Sequence, residues 1–264
     1  MGHRAASQAA IAIFIVVLAA CDAPDSSLRN ADRASPVVTI QDEIAAADFT
    51  AEAYYASTYR YAEPKYWLRI AGWITENALE RQFVEQKPVT TVLDLGCGYG
   101  TLLAFATTSY AARGICFDVV PYIQPAVQTR FGIEYREIDI EKDPFPASLQ
   151  VDVVLMTEVI EHLNFHPKTT LSKIFAVLKP GGSFFVSTPD ADKGWGRVYD
   201  YYDSIDSMPL PDPDAQWIDG HIWQYTELEI RAVLEDAGFV IKRMEHAPGV
   251  VGLHFNIWAV KPVN

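Results

Sequence analysis

Three cysteines in 264 residues are too few for a scaffold built on disulfides, which needs several bridges in a much shorter chain. Cys97 and Cys116 fall in expected strand or loop positions and read as buried thiols rather than a bridge. Clusters of Lys and Arg are missing, and acids outnumber those bases by 34 to 21, giving a formal charge of −13. Such a surface repels polyanions, so a nucleic-acid substrate is disfavoured. The apolar stretch Ile11–Ala20 has ten residues, whereas a permanent membrane helix needs about 20. No internal repeat is visible. What is present is ample apolar material, 50% hydrophobic and 12% aromatic, enough for the core of one α/β domain with some embellishment.

Met1–Ala10 carries one Arg, one His and no acid, and Leu18-Ala19-Ala20-Cys21 closes the apolar stretch with small residues. This pattern resembles a bacterial lipoprotein signal peptide. The resemblance implies a leader over residues 1–21, a lipid on Cys21 that anchors the chain to a membrane, and an Asp22 similar to an inner-membrane retention signal. The competing expectation is a misplaced start or an uncleaved tail on a cytoplasmic protein. Residues 22–47, rich in Asp, Ser, Ala and Pro, read as a solvated linker, and 48–264 as the folded domain.

Between Phe49 and Phe83, apolar residues such as Tyr55, Trp67, Ile70, Trp73 and Ile74 recur at mostly helical spacing, with Pro64 expected to split the run. Beyond Val89, short apolar runs alternate with helical patterns, the signature of a parallel sheet wrapped by helices. Strands are expected at Thr91–Leu95, Gly114–Phe117, Glu134–Glu137, Val151–Met156, Ser183–Ser187, Val240–Glu245 and Phe255–Val260. The last two are close enough for an antiparallel hairpin. One helix is expected over Pro167–Leu178, and another from a capping box at Thr226 and Glu229 to Gly238. Residues 190–220 carry Asp, Pro, Gly and aromatics, including Trp195 and Trp217, and read as a substrate cover.

Val92-Leu93-Asp94-Leu95-Gly96-Cys97-Gly98-Tyr99-Gly100 runs an apolar strand into a glycine turn that opens a helix. Glycines let the backbone approach a ligand closely, and the spacing G-x-G-x-G departs from the G-x-G-x-x-G of dinucleotide folds. A nicotinamide oxidoreductase is therefore disfavoured. The next strand ends in Asp118, where an acid can accept bonds from ribose hydroxyls. With Asp143-Pro144-Phe145-Pro146, Leu178-Lys179-Pro180-Gly181-Gly182 and Gly238-Phe239, the stretch from Val89 onward resembles the class I S-adenosylmethionine-dependent methyltransferases. The resemblance implies a Rossmann-like sandwich with a seven-stranded, mostly parallel sheet and helices on both faces. It also implies S-adenosylmethionine as cosubstrate, held by Asp94, Gly96, Gly98, Gly100 and Asp118, with Asp139 by the adenine and Glu158 near the cosubstrate.

Glu158-Val159-Ile160-Glu161-His162 follows the fourth strand, where open α/β sheets place catalytic groups. The motif resembles that of quinone-biosynthesis O-methyltransferases, which use no metal there, and this reading makes His162 a general base with Glu158 as its catalytic companion. It is also similar, more weakly, to the small-RNA 3′-terminal 2′-O-methyltransferases. That resemblance would give a divalent metal on Glu158, Glu161, His162 and His221, and no metal is favoured. His166 is expected at a helix cap or on the surface, and His246 and His254 as packing or edge residues. The expected function is methyl transfer to a small-molecule acceptor; the rivals are a metal-dependent RNA-end enzyme and a non-catalytic cosubstrate-binding module.

Overall fold

The computed structural model describes residues 36–47, 55–197 and 201–263. The leader at 1–21 lies outside them, as does the linker up to residue 35. The remainder of that linker is not solvated chain. Pro36–Ala47 forms helix α1, whose Val37, Ile40 and Ile44 are buried. Their spacing of three and four residues makes one apolar stripe, and burying that stripe outweighs the polar composition of the segment.

Helix α2 (Arg60–Tyr66) contains Pro64, and the break expected there falls instead at Trp67, before α3 (Leu68–Leu79). Pro64 has no N–H for the Arg60 carbonyl one turn back. The Gln41 side chain of α1 donates to that carbonyl at 3.1 Å, so the proline is accommodated inside the helix.

The strands are β1 (Thr91–Leu95), β2 (Arg113–Asp118), β3 (Ile133–Glu137), β4 (Val151–Thr157), β5 (Leu178–Pro189), β6 (Val240–Pro248) and β7 (Leu253–Val260). They form one seven-stranded sheet in the order β3-β2-β1-β4-β5-β7-β6. β1 to β5 pair in parallel, and β7 is antiparallel to both β5 and β6. This is the expected Rossmann-like sandwich. After β3 the chain returns to the other side of β1, so the carboxyl ends of β1 and β4 flank the crevice where such sheets bind ligands.

Side chains alternate across the sheet. Val92, Cys116, Val153, Phe185 and Trp258 pack with α1, α3, α4 (Thr101–Tyr110) and α5 (Pro125–Phe131). Leu93, Ile115, Val154, Phe184 and Ile257 pack with α6 (Lys168–Val177) and α7 (Glu227–Asp236). The box at the start of α7 forms as expected: Thr226 N–H donates to the Glu229 carboxylate at 2.8 Å, and Glu229 N–H to the Thr226 hydroxyl at 3.3 Å.

Asn256 on β7 ties the helices to the sheet. Its amide donates to the Tyr66 carbonyl at 2.6 Å and accepts from the Arg69 amide at 3.1 Å, in full burial. Asn256→Ala strands these backbone groups away from water and should cost about 1–3 kcal/mol. Urea denaturation of the two proteins would read this as a lower midpoint with an unchanged slope.

Candidate active site

The turn after β1 is built on left-handed backbone. Gly96 has φ +68°, and a Cβ there would meet Val159 Cγ2 at 2.6 Å. The glycine turn and the segment after β4 are thus in direct contact. Gly98, at φ +54°, faces open space within 4 Å. Its N–H donates to Asp118 Oδ2 at 2.9 Å, while Val120 N–H donates to Oδ1 at 3.1 Å. Asp118 is raised by burial, and these backbone donors oppose the rise. Behind it Asp94 is buried with Oδ1 lacking a partner, and burial reinforced by the Asp118 charge raises it to about 8.

The N-terminal helices close over this turn through one carboxylate. Glu63 of α2 accepts from Gln41 of α1 at 2.9 Å, the Tyr55 hydroxyl at 3.1 Å and Thr101 at the start of α4 at 2.9 Å. Burial raises Glu63 to about 7.

On the other side of the crevice, Glu158 has φ +55°, a conformation that costs a residue with a Cβ about 1–3 kcal/mol and clusters at functional sites. Its carboxylate is held by Ser187 Oγ at 2.7 Å and by His254 Nδ1 at 2.7 Å. A 3₁₀ turn over Ile160–His162 then sends Glu161 inward. Glu161 Oε2 accepts from Thr188 at 3.0 Å, and buried Oε1 has no partner. Burial, and then the Glu158 charge, raise this acid well above the usual range. The Glu161 backbone carbonyl accepts from Ile222 and Trp223 N–H, drawing the segment that carries His221 against it.

His162 and His221 meet edge to face at 4.7 Å. Donor atoms of Glu161, His162 and His221 lie within 4.8 Å of one another. Burial lowers both imidazoles, His221 to about 3. Two aromatics complete the walls: Tyr66 stacks on His254 at 4.7 Å, and Trp195 lies 5.2 Å from His221. The crevice therefore joins a glycine turn able to cradle a ligand to buried neutral imidazoles able to accept a proton or hold a cation.

The family profile described as a methyltransferase domain matches residues 65–243. The chain belongs to this methyltransferase family. Among its relatives, a probable S-adenosylmethionine-dependent methyltransferase of Mycolicibacterium smegmatis is 32% identical over 182 residues, covering 69% of this chain and 62% of the relative. The ubiquinone biosynthesis O-methyltransferase of Pseudomonas fluorescens SBW25 is 34% identical over 101 residues, 37% of this chain and 43% of the relative. The match thus spans less than two thirds of the length of either. The N-methyltransferase NodS of Bradyrhizobium japonicum WM9, solved with S-adenosyl-L-homocysteine, superposes with a TM-score of 0.50 at 17% identity over 71% of this chain and 85% of that one. It supports the fold.

In the methyltransferase domain, Asp94, Gly96, Gly98, Gly100 and Asp118 come together at the turn after β1. Asp139 caps the turn after β3, with Oδ1 accepting from Glu141 N–H at 2.9 Å and Lys142 N–H at 3.1 Å. Glu161, His162 and His221 come together, whereas both Glu158 oxygens are engaged by Ser187 and His254. His166 caps α6 through Nδ1, which accepts from Lys168 N–H at 3.2 Å. Trp195, within the expected cover, does lie over the crevice; residues 198–200 are outside the described part.

His254 is buried on β7, in keeping with a packing residue, and its Nδ1 also pairs with Glu158 Oε2 at 2.7 Å, a contact across 96 positions that no local pattern reveals. One reading is corrected. Cys97 and Cys116 are not thiols but a disulfide. The register Leu95↔Phe117 brings Cys97, two residues past β1, beside the buried Cys116 of β2, and one sequence does not reveal that register.

A folded-state pKa raised above its unfolded value gives stability that is complete below the unfolded pKa and lost as pH rises through the folded one. For Asp94 these limits are 3.8 and about 8, and the raised Glu63 and Glu141 act in the same direction. The thermal midpoint should fall from pH 6 to pH 9, and Asp94→Asn should flatten the fall by several degrees, at roughly 2–4 °C per kcal/mol. Melting curves across that range would show it, and identical slopes would refute it.

Proposed function

We propose that this methyltransferase moves the methyl group of S-adenosylmethionine to an oxygen of a small, planar acceptor. The observation that supports the proposal is the contact of the glycine turn with the Glu158–His162 segment, through Gly96 and Val159, a segment that carries the buried His162 three residues further on. The relative named as an O-methyltransferase supports the choice of atom.

Gly98 leaves room for the cosubstrate, and Asp118 keeps lone pairs for ribose hydroxyls. The methyl-sulfonium is already a strong electrophile, so the chain's work is to align the acceptor and exclude water. Tyr66 and Trp195 offer aromatic faces to a planar molecule. An alcohol or phenol must lose its proton as the oxygen–methyl bond forms, and His162 accepts it while neutral S-adenosylhomocysteine leaves. Glu158 holds the His254 side of the crevice in place.

S-adenosylhomocysteine titrated into the full chain by calorimetry should bind at micromolar or tighter Kd, and Asp118→Ala should lose at least tenfold; absent binding by folded protein would refute the cosubstrate. With labelled cosubstrate and a panel of catechols and phenols, His162→Gln should lower kcat by about 10²–10⁴ while leaving homocysteine-product affinity unchanged.

A second reading rests on the Glu161 oxygen that lacks a partner beside His162 and His221. Two imidazoles and a carboxylate suit a divalent transition metal, and Glu161, His162 and His221 would hold it. Such an ion supplies Lewis acidity that makes an acceptor hydroxyl easier to deprotonate. Manganese or zinc titrated into chelator-treated protein should then bind one equivalent, lost in His221→Ala. Full methyl transfer in the presence of chelator, with no metal uptake, would remove this reading.

A further inference from the structure

The Cys97–Cys116 disulfide joins two parts of the crevice, the turn after β1 and the strand β2. Cys97 stands between Gly96 and Gly98, at the centre of the left-handed turn. Cys116 is fully buried on β2, held by its register with β1 on one side and β3 on the other, two residues before Asp118. The bond is thus a covalent link between the turn and the strand carrying Asp118, parallel to the 2.9 Å bond from Gly98 N–H to that carboxylate.

We propose that this disulfide is a thiol–disulfide exchange site that sets the affinity of the glycine turn for its cosubstrate. The proposal rests on the reading of that turn as the cosubstrate cradle. Two thiols need more room than two bonded sulfurs, and Cys116 cannot give way inside a strand paired on both sides. Reduction therefore displaces Cys97, and the neighbouring Gly98 moves with it, away from Asp118. The oxidised turn is ordered before the ligand arrives; the reduced turn has to be ordered by the ligand, which weakens binding.

Cys97 is half-buried and Cys116 fully so, so the attack comes at Cys97. A thiolate of a reducing dithiol bonds to the Cys97 sulfur as the Cys97–Cys116 bond breaks, and Cys116 leaves as a thiolate and takes a proton. The second thiol of the dithiol then displaces Cys97, leaving two cysteine thiols and an oxidised dithiol.

The test is a calorimetric titration of S-adenosylhomocysteine into the full chain in three forms: oxidised, reduced with dithiothreitol and then exchanged into anaerobic buffer, and the Cys97→Ser/Cys116→Ser double variant. Mass spectrometry after alkylation under denaturing conditions verifies the state of each, and circular dichroism its folding. The expected result is a Kd at least tenfold weaker in the reduced form and the double variant, restored on reoxidation only in the former. Equal affinities within twofold overturn the proposal while leaving the cosubstrate reading intact. No binding in the oxidised form overturns both. Global unfolding on reduction also overturns it, because the bond would then hold the fold instead of the turn, and so does an air-oxidised protein in which both cysteines alkylate.

Discussion

Carboxylates without cations govern this site. Asp94, Asp118, Glu158 and Glu161 gather at the carboxyl edge of the sheet, and among the described residues none forms an ion pair with Lys or Arg. Charge buried without a partner is expensive, so such groups keep a proton or collect donors. Burial shifts Asp94 toward its protonated form, Asp118 collects backbone N–H groups, and Glu158 and Glu161 take hydroxyls from Ser187 and Thr188. The left-handed backbone of Glu158 is the distortion that aims its side chain at both partners. An incoming ligand bearing a sulfonium and an ammonium would bring the positive charge that the protein withholds.

What was legible in the sequence follows from how local each signal is. β1 is flanked by strands on both sides and buried at every position, and Thr91–Leu95 is its extent in both descriptions. The glycine turn and the capping box of α7 are short, and the physics that forms them lies within a few residues. Helix α1 was hidden because composition masked three well-spaced apolar residues. Pro64 misled because the group that rescues its helix, Gln41, comes from a different element. The pairing of His254 with Glu158 spans 96 positions, and Cys97 with Cys116 depends on strand register. Neither leaves a trace in local periodicity.

Glu63 and Asn256 do related work at opposite ends of the chain. Each is buried, and each satisfies groups on elements that would otherwise drift apart: Glu63 joins α1, Tyr55 and α4, and Asn256 joins β7 to the α2–α3 junction. The helices over the cradle are therefore held by polar contacts as well as by the apolar layer beneath them. Removing one member of such a network leaves the others buried without partners, which makes these helices sensitive to single changes.

The place of β7 bears on synthesis. It follows the other six strands in the chain, yet it lies between β5 and β6 and brings His254 and Asn256 with it. A nascent chain that has emerged as far as β6 has an open β5 edge, lacks the Asn256 bonds to the α2–α3 junction and leaves Glu158 without His254. Such an edge invites wrong pairing, so the interval between emergence of β6 and β7 is when this protein most needs protection.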